Sequence, residues 1–593
     1  MSHSQGSEST TFAACVVGET TLPIQCAEIL LQRGHRVRCL VSDDPQVAAW
    51  ARSRGIDHAQ LSPALAEHLA SEPFDYLFSV ANLRILDREL LALPRRWAIN
   101  YHDGPLPRYA GLNAPAWAIL ERETDYGITW HLMSDQVDAG AVLLGRAVEI
   151  EPGDSALTLN VKCYEAAIDS FAELLDGLAA GTLRPREQDL GRRTLFGRDQ
   201  RPPAACVLDW ERPAAELSAL VRALSAGDYP NPLGTPKVRI GDELVAVGEL
   251  EPLGRSGALP GTVTGMGEGS IWVAAGDADV ALRALSTLEG EPLDAAAVAE
   301  RHRLAPGARL PLVGESAAEL GELHEALARH EPDWTDRLSG LEPLQVPFAR
   351  PVPGELCAGF VASAVELPED LRRAACGEDG LVAVVAAYLA RLTDAGRFDV
   401  GLDRAPLDGC LAGFDGMLAR PLPLHVDVDL ARPFAAAREA VGEELKRVRR
   451  RRGYLRDLRQ RQPRLRERSA ALPVVVAAGE PPCEPPPGTH LAIAVAGGGA
   501  RLVWAHRPDV LDADSVARMQ RQLLTFLTDL AGDPDRPLAD LAVLDPDERH
   551  RVLVEWNGTG MEYERGECVH EAIEAQVERT PEAEALVVGD RRL

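Results

Sequence analysis

The 593-residue chain lacks any apolar run long enough to cross a bilayer, and its start lacks the charged, apolar and small-residue succession of a secretory signal. A soluble, cytoplasmic protein with no membrane partner is therefore expected. Its ten cysteines include no Cys-x-x-Cys pair, which argues against a zinc site and against a disulfide framework. No metal is expected, and the thiols are read as buried. Positive charge is in short supply: 62 Lys and Arg against 90 Asp and Glu leave a formal net charge of −28, which repels nucleic acid. The turn after the first predicted strand offers one glycine, Gly18, where a dinucleotide fingerprint needs Gly-x-Gly-x-x-Gly, so that site is excluded as well.

What is present is chain enough for roughly three to five domains. After a polar, disordered start at residues 1–10, Phe12–Gly18 reads as a buried strand. Leu22 to Gln32 reads as a helix stopped by Gly34, and Val37–Val41 as a second strand. This is the opening of a doubly wound α/β domain. A further strand, Tyr76–Val80, runs into Ala81-Asn82-Leu83-Arg84-Ile85-Leu86. Ala98–His102 begins as a buried strand and ends in the Gly/Pro loop Asp103–Pro107, placing Asn100 and His102 at a strand's carboxyl end, where open α/β sheets bind ligands. Two apart in a strand, they project to one face. Asp138 follows in the loop before Ala139–Leu144. Val161, Tyr164, Ile168, Phe171, Leu175 and Leu178 recur at helical spacing before Gly181, which closes the domain.

The stretch resembles the formyltransferases that use 10-formyltetrahydrofolate. Five elements carry the resemblance: Asn100-Tyr101-His102, Leu106-Pro107, Tyr109-Ala110-Gly111, Gly127-Ile128-Thr129-Trp130-His131 and Asp138-Ala139-Gly140. Asp103-Gly104-Pro105 departs from the Pro-Ser-Leu or Gly-Ser-Leu of many members. The resemblance implies that Asn100, His102 and Asp138 are catalytic, and that Asn82, Arg84, Ile85 and Asp135 bind the co-substrate. The chemistry fits those residue types. A carboxamide aimed at the oxyanion formed when an amine attacks a formyl carbon stabilises it by ~3 kcal/mol. His102 supported by Asp138 can take or relay the proton the amine loses. His131, in an alternating strand, is read as structural. The resemblance continues from Asp209-Trp210-Glu211-Arg212-Pro213 into a second subdomain, where short alternating stretches around Val238–Ile240, Leu244–Val247, Gly261–Val263 and Ile271–Val273 predict a small β-barrel.

Beyond an Ala/Glu/Arg-rich linker, Trp334–Gly340, Ala386–Leu392, Phe398–Gly401, Leu422–Val426 and Met519–Leu530 resemble the carboxyl-terminal lobe of a nonribosomal peptide synthetase condensation domain. No His-His pair occurs in the chain, so the active-site motif of such a domain is missing and the lobe is expected to be structural. Two segments there are read without function: the basic run Lys446–Arg452 as a solvated face or a contact with the chain's own acids, and Glu480–Pro487 as an extended loop. Leu544–Arg549, Glu555–Thr559 and Val569–Pro581 resemble the entry to an adenylation domain. The expected fold is thus a Rossmann-like α/β formyltransferase domain (1–198) with a small β-barrel subdomain and linker (199–310). An α+β condensation-like lobe (311–545) and the start of an adenylation domain (546–593) follow. The function this implies is formyl transfer to the amine of an aminoacyl group on the phosphopantetheine arm of a carrier protein, initiating nonribosomal peptide synthesis. The expected partners are that carrier protein and the adenylation domain, not nucleic acid. Formylation of a free amino acid or amino sugar, and a degenerate docking module, stand beside it. Residues 1 to about 310 are expected to act alone on a small amine.

Overall fold

The computed structural model describes residues 11–351, 359–403, 414–466, 468, 471–479, 485–561 and 568–592. The polar start at 1–10 and residues 480–484 of the proline-rich loop lie outside the described residues.

The chain begins with β1 (Ala13–Val17), α1 (Leu22–Gln32), β2 (Arg36–Val41), α2 (Pro45–Arg54), β3 (Asp57–Ala59), α3 (Leu65–Ala70), β4 (Tyr76–Ser79), α4 (Arg88–Leu91) and β5 (Trp97–His102). It continues through β6 (Ala110–Gly111), α5 (Ala114–Leu120), β7 (Asp125–Leu132), β8 (Val142–Glu149) and α6 (Ala156–Ala180). Seven strands form one sheet in the order β3-β2-β1-β4-β5-β7-β8. The pairs from β3 to β5 are parallel, and β7 and β8 add antiparallel to β5. Both faces are covered, as alternation along β1 shows. Ala14 and Val16 pack with α1 and α6 residues such as Leu22, Leu30 and Phe171, while Cys15 and Val17 pack with Leu65, Leu69 and Leu90. Local signals set the helix ends. Asp44 caps α2 ahead of Pro45, and Ser155 and Thr158 form a capping box on α6. Gly181, at φ 66°, ends α6 in a left-handed turn that a Cβ would disfavour.

After β9 (Leu195–Phe196) and α7 (Ala214–Ala223) come β10 (Lys237–Ile240), β11 (Glu243–Pro252), β12 (Val263–Gly267), β13 (Ser270–Ala274) and β14 (Asp279–Ser286). They form a five-stranded antiparallel sheet, ordered β10-β11-β14-β13-β12. The expected barrel is not closed among the described residues, because other chain segments take its two edges. Leu208 N–H donates to Lys237 O at β10, while Val263 exchanges bonds with Gly307 and Ala308 at β12. Those contacts satisfy backbone groups that closure would otherwise pair.

The chain divides into two compact units. One comprises Met1–Val346, Phe398–Val426 and Gly442–Ala492, and the other Pro347–Arg397, Asp427–Val441 and Ile493–Leu593. The division runs through the segment expected as a single lobe. In the second unit, the strand Val361–Glu366 pairs antiparallel with Arg501–His506, and Tyr388 in the helix Glu378–Thr393 donates to Gln522 Oε1 in the helix Ala513–Gly532. In the first unit, the basic run meets the chain's own acids: Lys446 lies 2.7 Å from Glu443, Arg447 3.3 Å from Glu444 and Arg451 3.1 Å from Asp333.

The first unit also encloses an ionic cluster. Lys237 Nζ lies 2.9 Å from Asp457 Oδ2, with 1 % of each side chain accessible, and donates to Ala205 O. Arg461 donates to Asp457 Oδ1 at 3.0 Å and to Glu331 Oε1 at 2.5 Å, and Arg201 lies 3.7 Å from Glu331. Burial would raise the Asp457 carboxyl, but Lys237 and Arg461 hold it well below the carboxylate range. His324, fully buried beside them, is driven well below its ordinary value by burial and by these cations. The cluster joins β10 to residues far along the chain. A piece ending near residue 310 would leave Lys237 without its partner Asp457.

Candidate active site

The site forms where β5 ends. In the antiparallel pairing of β5 with β7, Asn100 faces His131 and His102 faces Thr129, while on the other side Asn100 is the parallel partner of Ser79. The loop after β5 is latched by Thr129, whose hydroxyl donates to Gly104 O at 2.8 Å and accepts from Leu106 N–H at 3.1 Å. Gly104 passes so close beneath the imidazole that a Cβ there would lie 2.8 Å from His102 Nε2. Asp138 sits in the β7–β8 loop at φ 52°, its backbone carbonyl accepting from Gln188 and its carboxylate Oδ2 from Gly111 N–H at 2.8 Å. At Gly140, a Cβ would meet Leu132 O at 1.8 Å, so only glycine lets the loop return to β7.

These constraints bring the three expected catalytic side chains together. His102 Nε2 lies 2.7 Å from Tyr109 O, and since a carbonyl only accepts, Nε2 carries the hydrogen. Its Nδ1 faces two carboxylates: Asp138 Oδ2 at 3.6 Å and Asp103 Oδ1 at 3.8 Å. His131 Nδ1 donates to Leu132 O at 2.9 Å, and its Nε2 lies 3.2 Å from Asn100 Nδ2 and 3.4 Å from Asp138 Oδ1. His131 Nε2 therefore sits between the carboxamide and the carboxylate, within reach of both. Burial works to raise the Asp138 carboxyl, but His131, His102 and the Gly111 N–H outweigh it and bring it down to about 2. Asp138 is thus an anion at neutral pH. The strand register, which the sequence pattern alone did not supply, is what brings His131 into the site.

The expected co-substrate residues are placed differently. Asn82 spends its side chain on its own loop, donating to Ser79 Oγ and Arg84 O and accepting from Arg84 N–H. Arg84 pairs with Asp43 at 2.6 Å. Between and beyond them Leu83 and Ile85 stand 81 % and 86 % exposed, an apolar pair at the carboxyl end of β4 beside Asn100's strand. Asp135 is exposed in the loop that carries Asp138.

Residues 35–175 match the family described as formyl transferase, and residues 202–303 match its C-terminal domain. A methionyl-tRNA formyltransferase of Myxococcus xanthus (strain DK1622) is 30 % identical over 269 residues, covering 45 % of this chain and 83 % of that protein. The chain belongs to the formyltransferase family. This places it among the folate-dependent formyltransferases, with an additional mixed α/β region. The methionyl-tRNA formyltransferase of Trichlorobacter lovleyi (strain ATCC BAA-1151 / DSM 17278 / SZ) is 27 % identical over 252 residues, 42 % of this chain and 76 % of that protein. Among solved structures, a sugar 3N-formyl transferase studied with dTDP and 5-N-formyl-THF aligns at TM-score 0.38 and 15 % identity, over 46 % of this chain and 98 % of its own. Among the described residues, no helix of this formyltransferase is long and apolar enough to cross a membrane.

Proposed function

We propose that the chain transfers the formyl group of 10-formyltetrahydrofolate to the amine of an aminoacyl group carried as a phosphopantetheine thioester, the initiation step of nonribosomal peptide synthesis. The single observation that carries the catalytic part is the convergence of Asn100, His102 and Asp138 at the end of β5. The co-substrate supplies the activated one-carbon group. Asn100, its carboxamide fixed by His131, is the donor to negative charge developing on the formyl oxygen. His102, pinned at Nε2 by Tyr109 O, takes the amine's proton at Nδ1, and the ionised Asp138 beside it stabilises the resulting imidazolium.

The carrier-bound acceptor is supported by the resemblance of the later segments to condensation and adenylation domains. On this reading residues 1–198 and 199–310 are the catalytic domain and its subdomain. Residues 311–545 form a non-catalytic platform, and 546–593 lead into an adenylation partner. The names of the curated relatives raise aminoacyl-tRNA as another acceptor, and the net charge of −28 weighs against it. Neither nucleic acid nor a membrane is a partner on this reading, and the protein acts in the cytoplasm.

The test offers the full chain and 10-formyltetrahydrofolate to four acceptors in parallel: an aminoacyl carrier protein, a free amino acid, a nucleotide-linked amino sugar and an aminoacyl-tRNA. Intact mass spectrometry reads the gain of one formyl group. Preferential formylation of the carrier-bound amine supports the proposal; preference for any other acceptor rejects its substrate half.

A further inference from the structure

Asp103 is not needed by the chemistry assigned above, yet it is built into the site. It follows His102 directly and keeps 30 % of its side chain accessible. Tyr126 OH donates to its backbone carbonyl at 2.8 Å, and the Thr129 latch holds the next residues. Its Oδ1 addresses the nitrogen that Asp138 addresses, His102 Nδ1, at 3.8 Å against 3.6 Å. The other ring nitrogen is committed to Tyr109 O. One imidazole nitrogen therefore stands between two carboxyls.

The groups that interact with the Asp103 carboxyl are His102 and Tyr101 from β5, Tyr126 from β7, Asp138 from the β7–β8 loop, and Cys163 and Tyr164 from α6. Of these only His102 can carry positive charge. Burial pushes the Asp103 carboxyl up, Asp138 adds to that, and His102 opposes it. A carboxylate here is stabilised when His102 is protonated and costly when it is not.

We infer that Asp103 is a positioning residue for proton transfer, the second counter-ion of His102, acting with Asp138 to hold the imidazolium while the formyl group changes hands. As the amine nitrogen bonds to the formyl carbon, its proton passes to His102 Nδ1. The bond from that carbon to the donor nitrogen then breaks, and the donor nitrogen takes a proton in return. Asp103 acts through His102 in the interval between the two transfers. The inference rests on His102 being the base of the proposed reaction.

Two measurements on the full chain test it. The first follows carboxyl carbons by NMR as a function of pH, with Asp103→Asn identifying the Asp103 signal. The Asp103 midpoint should lie above the ordinary aspartate range and rise further in His102→Gln; a midpoint unmoved by His102→Gln overturns the pairing. This readout needs no turnover, so it stands even if the chain formylates no amine, the result that would defeat the proposed function itself. The second compares pH profiles of kcat/KM. Asp103→Asn and Asp103→Ser should each lose about tenfold near neutrality and move the acid limb about one pH unit toward acid, because removing an anion makes the base harder to protonate. Asp103→Glu should restore both. A loss of rate with an unmoved limb in all three variants would overturn the inference.

Discussion

Two charged clusters in the first unit invite comparison. Around Lys237, cations and anions alternate: Lys237, Arg461 and Arg201 against Asp457 and Glu331, with each carboxylate facing two cations. Around His102 no permanent cation is present: Asp103 and Asp138 both face its Nδ1, and Asp138 also meets the His131 imidazole. The first cluster is sealed, with Lys237, Asp457 and Arg461 almost wholly buried; the second opens at Asp103 and Asn100. A sealed network in which every carboxylate is held by two cations has no work to do but hold segments together. An open one with surplus negative charge is poised to receive a proton. Burial of charge alone thus does not mark a catalytic site; the surplus of carboxylates and the access do.

The largest expected effect breaks the sealed cluster. Asp457→Ala leaves Lys237 and Arg461 buried without a shared anion and should cost about 3–5 kcal/mol of stability in urea unfolding, while turnover per folded molecule stays near wild type. A smaller loss, with turnover abolished, would mean the two clusters had been assigned the wrong way round. Gly104→Ala should do the reverse. Its Cβ would press on His102 Nε2 and Tyr109 O, at 2.8 and 3.0 Å. A displaced imidazole should lower kcat about a hundredfold, with little change in melting temperature.

Acid unfolding sharpens the contrast further. Asp138 is lowered to about 2 in the folded protein, against about 3.9 when unfolded. It therefore contributes stability that is fully present above about pH 4 and is lost as pH falls through 2. The contribution is about 2–3 kcal/mol. Asp138→Asn should remove that part of the acid dependence, which urea titrations at pH 3 and pH 7 would show. The smallest effect is expected at His131, whose link to Asn100 and Asp138 is a positioning contact. His131→Gln should reduce kcat/KM by about fivefold, the value of one net hydrogen bond. A loss as great as that of a catalytic variant would promote it from positioning to chemistry.

Much of the first domain could be read from residues near each other in sequence. The helix Leu22–Gln32 has the bounds expected from its pattern and the Gly34 stop, and α6 ends at Gly181 as its spacing predicts. Asn100, His102 and Asp138 were legible through the motif elements that resemble the formyltransferases, and a strand end also places Asn100 and His102 together. His131 was not, since its role depends on the antiparallel register that sets it opposite Asn100. Lys237 lies just before the alternating stretch Val238–Ile240, and its anion Asp457 is 220 residues later. No local signal couples such residues. The barrel expected from short alternating strands was misjudged for the same reason: the segments that occupy the edges of β10 and β12 come from outside the strands themselves.

The most direct measurement is formyl transfer from 10-formyltetrahydrofolate to a small primary amine by the full chain, comparing wild type with Asn100→Ala and His102→Ala. Circular dichroism and melting temperature monitor the fold. The site described here requires each variant to lose at least about a hundredfold in kcat while remaining folded. Turnover near the wild-type rate in either folded variant would contradict it.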